Sequence, residues 1–95
     1  MIVCVNTYRV KPGLRNELVK EIIGKNILQE LRALQGNLYF DFSAAVDDEE
    51  VLHLTDAWRD EESFAAHLKN KYTLLWLNLK EKYVAASDVK RYDIA

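Results

Sequence analysis

Along the first ten positions, apolar and polar side chains change place every second residue, the period of a β-strand. Ile2, Cys4, Asn6, Tyr8 and Val10 share one face, Val3, Val5, Thr7 and Arg9 share the other, and both faces are partly apolar. Lys11-Pro12-Gly13 closes the strand, with proline presetting the first turn position and glycine accepting the positive φ of a type II turn. From Leu14 to about Gln35 the spacing changes to three and four, with Leu14, Leu18, Ile22, Ile27, Leu31 and Leu34 as an apolar stripe. This predicts one long helix, interrupted near Gly24-Lys25-Asn26 and ended by Gly36-Asn37, where glycine takes a left-handed cap conformation.

The period then returns to two. Leu38 to Val46 reads as a second strand, with Leu38, Phe40, Phe42, Ala44 and Val46 on one face. The acidic run Asp47-Asp48-Glu49-Glu50 turns the chain into a third strand, Val51 to Trp58, with Leu52, Leu54, Asp56 and Trp58 on one side and His53 on the other. Asp60 is placed to cap a helix that carries Glu61 and Glu62 in its first turn and turns Phe64 and Leu68 inward. Lys69-Asn70-Lys71 marks a break, Thr73 to Tyr83 resumes the helix with Trp76, Leu79 and Tyr83 along one stripe, and Val89 to Ile94 forms a short last strand.

The order β-α-β-β-α-β predicts a ferredoxin-like α+β fold over residues 1–95 as one domain: a four-stranded antiparallel sheet with its helices on one face. The other face is left bare while still carrying apolar side chains, so a second copy of the chain is the expected lid. Composition agrees, since 49% of the residues are hydrophobic and 11% aromatic, more apolar material than 95 residues hide comfortably.

Thirteen basic and fifteen acidic residues are interspersed and give a net charge of -2, which leaves no basic stripe for nucleic acid. No apolar run approaches membrane-spanning length, and the N-terminus lacks the charged start of a signal peptide, so neither a membrane nor export is expected and the chain is assigned to the cytoplasm. Cys4 has no disulfide partner and reads as a small buried hydrophobe. With His53, His67 and Cys4 spread over separate elements, no metal site is expected.

Glycine-rich phosphate loops, paired CxxC, Gly-x-Ser-x-Gly and HExxH are all absent. The chemistry-bearing stretch is Asp56-Ala57-Trp58-Arg59-Asp60-Glu61-Glu62-Ser63-Phe64-Ala65-Ala66-His67-Leu68, where a strand ends in tryptophan and the next helix offers Phe64 and His67. This stretch resembles small dimeric α/β-barrel proteins of the antibiotic-biosynthesis-monooxygenase family. In these, an acidic residue, one spacer and Trp end strand three, and an Ala-x-His-Leu-like step follows. The resemblance extends through Arg9-Val10-Lys11-Pro12-Gly13 and Gly36-Asn37-Leu38-Tyr39, and so covers nearly the whole chain.

The resemblance implies a homodimer that oxidises a small electron-rich aromatic or quinol-like compound with dioxygen and without a cofactor. It implies His67, Asn6 and Tyr72 as catalytic candidates, and Trp58, Tyr8, Trp76 and Tyr83 as substrate-binding walls. Two departures stand out. Asp56 replaces a common Glu, and Tyr72 replaces a histidine common five residues after the first, which trades a titrating ring for a phenol. Haem-degrading relatives are matched at Asn6, but His67 and Leu77 occupy the positions of their helical Trp and of the histidine ten residues later. Haem binding and simple ligand binding or regulation are the alternatives. Each candidate also has a purely structural reading: a core-satisfied His67, an Asn6 bound to backbone, and packing roles for Trp58, Tyr72 and Trp76.

Overall fold

The computed structural model describes Met1–Ala95. Strand β1 (Ile2–Val10) is followed by α1 (Arg15–Gly24), α2 (Ile27–Arg32), β2 (Asn37–Ala44), β3 (Val51–Trp58), α3 (Glu61–Leu68), α4 (Lys71–Tyr83) and β4 (Val84–Asp93). The sheet order is β2-β3-β1-β4, and every neighbouring pair is antiparallel. This is the ferredoxin-like plan the alternation predicts, with β1 and β3 central.

Burial along β1 alternates as the side-chain period requires. Ile2, Cys4, Asn6, Tyr8 and Val10 are buried toward the helices, while Val3, Val5 and Thr7 are half-covered on the opposite side. On that outer face Thr7 Oγ1 and His53 Nδ1 lie 3.2 Å apart, across the register pair Thr7–His53. The inner face meets a core of Val10, Leu18, Ile22, Ile27, Leu31, Leu52, Trp58, Leu79 and Tyr83.

The turn after β1 closes through Leu14 N–H to Lys11 C=O at 3.1 Å, with Gly13 at φ 77°. Asp60 caps α3 by accepting from Ser63 N–H at 2.8 Å, and Asn70 caps α4 by accepting from Tyr72 N–H at 2.9 Å. Both caps satisfy amides that a helix leaves without an internal partner.

Three expectations need correction. The first long helix is two helices, separated within the expected interruption by Lys25 and Asn26, of which Asn26 takes the left-handed conformation (φ 58°). Asparagine tolerates that conformation better than most residues with a Cβ. The last strand is longer than expected: it runs over ten residues from Val84 and pairs with β1 almost throughout, with one irregularity at Arg9/Val10. Its alternation is faint because almost every residue in it is exposed, so neither face is selected for apolarity. Leu68 is 49% exposed and does not enter the core.

Candidate functional site

The side chains that make chemistry possible come from adjacent inward positions on β1 and β3, and from the end of α3. Cys4 stands opposite Asp56 in the β1–β3 register and Asn6 opposite Leu54. Where the same strands carry Tyr8, Val10 and Leu52 the space is filled; where they carry Cys4, Asn6 and Asp56 it is not. A cavity of about 210 Å³ remains, with Asn6, Asp56 and His67 at its polar end and Tyr8, Phe40, Leu54 and Trp76 among its walls. Tyr8 and Trp76 meet edge to face at 5.3 Å, and Phe42 meets the other side of Trp76 at 5.0 Å. Leu68, Leu77 and Val89, each about half exposed, rim the opening with Lys80.

Asp56 is a carboxylate only 4% exposed, so its oxygens must be satisfied from within the protein. Oδ1 accepts from Asn6 Nδ2 at 3.0 Å and Oδ2 accepts from Trp58 Nε1 at 2.8 Å. Burial nevertheless raises its pKa, against the lowering effect of the Trp58 bond, the nearby His67 and the Asn6 bond. Asn6 Nδ2 donates a second time, to Leu54 C=O at 2.9 Å. Since both of its partners are acceptors, the amide can face only one way, and Asn6 Oδ1 is left unclaimed.

His67 is fixed in the same manner. Its Nδ1 lies 2.7 Å from Phe64 C=O, which can only accept, so the proton sits on Nδ1 and Nε2 carries the lone pair. The ring stacks on Trp58 at 4.2 Å with 13° between planes, and Phe64 leans on it at 5.2 Å. Burial is the main influence on its pKa and lowers it, so the imidazole is neutral near pH 7. Thr73 Oγ1 donates to His67 C=O at 2.6 Å and ties the start of α4 to the end of α3. No sealed side-chain nitrogen or oxygen lacks a partner, and neither Asn6 Oδ1 nor His67 Nε2 makes a hydrogen bond, so both atoms remain accessible. Both residues line the cavity, which therefore ends in two free acceptors.

Four of the seven sequence candidates, Asn6, His67, Tyr8 and Trp76, thus share one space. The other three do not line it. Trp58 is wholly buried behind His67 and supports the site from there. Tyr72 sits in the first turn of α4, half-covered, with Lys71 Nζ 5.1 Å from its ring centre. Tyr83 is buried and its hydroxyl donates to Glu21, which joins α4 to α1. Asp56 and Lys80 are the charged lining residues that the sequence candidates omit. For Asp56 the signal existed, since a carboxylate on the side of a strand shared with Leu52, Leu54 and Trp58 must be held by something. No three His, Cys, Asp or Glu side chains are grouped so as to hold a metal ion, and no helix is long and apolar enough to cross a membrane.

Solved structures share this architecture. The "Putative antibiotic biosynthesis monooxygenase from Nitrosomonas europaea" superposes with a TM-score of 0.87 at 20% identity, over 99% of this chain and 98% of that one. A conserved protein from Methanosarcina mazei Go1 gives 0.86 at 19% identity, over 99% and 92%. In sequence, 67 residues are 31% identical to the Bacillus subtilis (strain 168) protein named "Putative monooxygenase YcnE", covering 70% of this chain and 68% of that one. Residues 1–78, which carry every polar group at the closed end of the cavity, match the model of one family, and the chain belongs to it: antibiotic biosynthesis monooxygenase.

Proposed function

We propose that this protein is a cofactor-independent monooxygenase that oxidises a small, single-ring, electron-rich phenol or quinol with dioxygen. The observation that carries the reading is the pair of free acceptors, Asn6 Oδ1 and His67 Nε2, at the closed end of a mostly apolar cavity. Two acceptors call for a donor, which a phenolic hydroxyl supplies. Size narrows the class, because an apolar cavity of about 150 Å³ accepts a benzene, and about 210 Å³ leaves room for one substituted ring.

His67 Nε2 takes the hydroxyl proton, the step for which a neutral imidazole is suited. The imidazolium is stabilised by the Trp58 face against which it lies and by the Asp56 carboxylate. The phenolate, poorly hydrated between aromatic walls, passes an electron to dioxygen. Recombination forms a C–O bond at a ring carbon bearing hydrogen, and loss of water from the hydroperoxide gives the quinone. Phenol plus dioxygen thus becomes quinone plus water, with one oxygen atom in each product and no outside reductant. Two copies joined through their outer sheet faces, where Val3 and Val5 are half-covered and Tyr39 and Tyr92 about half exposed, complete the particle.

The test is oxygen uptake with a panel of single-ring phenols unsubstituted at the para carbon, paired with anaerobic calorimetric binding. Wild type should consume oxygen, and His67→Ala and His67→Gln should bind alike but turn over about 10²-fold to 10⁴-fold more slowly. Binding without uptake by wild type would overturn the enzyme reading in favour of a binding module. Undiminished uptake by both variants would remove His67 as the base.

A further inference from the structure

Lys80 is the one cation that lines the cavity, and it has no anion. The eight close ion pairs all lie elsewhere: Lys25 and Lys82 reach Glu21, Arg9 reaches Asp48 and Glu50, Arg32 reaches Asp41, Arg59 reaches Asp60, and Arg91 reaches Glu61 and Asp93. Lys80 has no carboxylate within 4.0 Å and makes no hydrogen bond; its Nζ leans 5.4 Å from the ring centre of Tyr8, itself a cavity wall. A lysine in the last turn of α4 would complement the helix dipole equally well from solvent. Its half-buried position over the cavity is the feature that needs a reason.

The cavity is therefore polar at both ends and apolar between them. The closed end holds hydrogen-bond acceptors and the Asp56 carboxylate, and the open end holds an unpaired ammonium. Building on the phenol-oxidising reading, we propose that the substrate carries a carboxylate on an arm meta to its hydroxyl, which leaves the para carbon free, and that Lys80 anchors it at the mouth. One ammonium balances one negative charge, which suits a monoanionic carboxylate better than a dianionic phosphate. The same polarity sets direction: Asp56 repels an acid from the closed end, so the ring enters hydroxyl first.

The experiment is anaerobic calorimetric titration of wild type, Lys80→Met and Lys80→Arg with 3-hydroxyphenylacetate and its methyl ester, each at low and high salt. The proposal expects wild type to prefer the acid by about tenfold or more, with salt narrowing the difference. Lys80→Met, which keeps the stem and drops the charge, should lose the preference, and Lys80→Arg should keep most of it. Equal binding of acid and ester by wild type, or a preference that survives in Lys80→Met, would overturn the anchor, as would failure of both ligands to bind. Oxygen uptake read in parallel separates the two ideas. A Lys80-dependent preference without uptake leaves the anchor standing and removes the oxidation, whereas uptake with no charge preference does the reverse.

Discussion

Around α1 the helix-covered side of the sheet is sealed, whereas beneath α3 and the start of α4 it is hollow, although the same two central strands floor both regions. Val10, Leu18, Ile22, Ile27 and Leu52 leave at most 2% of their surface exposed in the sealed region. In the hollow region the inward positions of β1 and β3 hold Cys4, Asn6 and Asp56, side chains too short to meet the helices. The lesson is that a cavity in so small a domain is made by shortness and polarity at neighbouring strand positions. It is kept open by tying those polar groups to one another, since a partly satisfied network in a core is more costly than none.

The contrast can be broken most forcefully by matched truncations. Leu18→Ala should lower unfolding free energy by about 2–5 kcal/mol, because the sealed region cannot collapse onto the void. Leu77→Ala, at the rim of the hollow, should stay within about 0.5 kcal/mol. Urea denaturation of both variants reads the difference directly, and equal losses would mean that the two regions are packed alike.

Gly36 joins the regions and offers the next largest effect. It has φ 81°, and a Cβ built there would lie 2.0 Å from Ser63 Oγ and 2.4 Å from Ser63 Cβ in α3. Gly36→Ala should therefore cost about 1–3 kcal/mol and push α3, with His67, away from β3. Oxygen uptake per folded molecule should fall in that variant while it is preserved in Leu18→Ala. Adding Ser63→Gly should restore only part of the stability, since it removes the collision but leaves the left-handed backbone.

The smallest effect concerns protons. Burial holds His67 below its ordinary value of 6.5, so on acidification the unfolded chain takes up that proton before the folded chain does. The contribution of neutral His67 is complete above 6.5 and is lost as the pH falls from there toward the folded value. Asp56 has the opposite sign. With its folded pKa raised by burial, the folded chain protonates first, and stability gains as the pH falls from that raised value toward 3.8. Urea midpoints from about pH 8 to about pH 5.5 should decline more steeply for wild type than for His67→Gln. Parallel profiles would contradict a buried neutral histidine.

Most of the architecture was legible because the sheet is bare on one face and covered on the other, which imprints alternation on β1, β2 and β3. Asp60, Gly36 and the Asn70 break were legible because caps and left-handed turns demand particular residues. β4 was only half legible, since a strand exposed on both faces leaves no pattern to read. The site was legible in its residue types but not in its membership. Helical spacing brought Trp76 and Tyr83 onto one stripe, yet the short side chains across from that stripe decide which of them meets a void. Asp56 and Lys80 matter through what they lack or share with neighbours, and that is a property of packing rather than of spacing.

The flat contact between Trp58 and His67 also makes the proposed base visible to light. An indole stacked 4.2 Å from an imidazole, nearly parallel to it, gives up an excited electron to that ring far more readily once the ring is cationic. Emission from Trp58 should dim as the histidine charges, while Trp76, whose aromatic neighbours are Tyr8 and Phe42, supplies a steady background. The molecule thus carries a gauge of its own protonation, readable without a dye or a label.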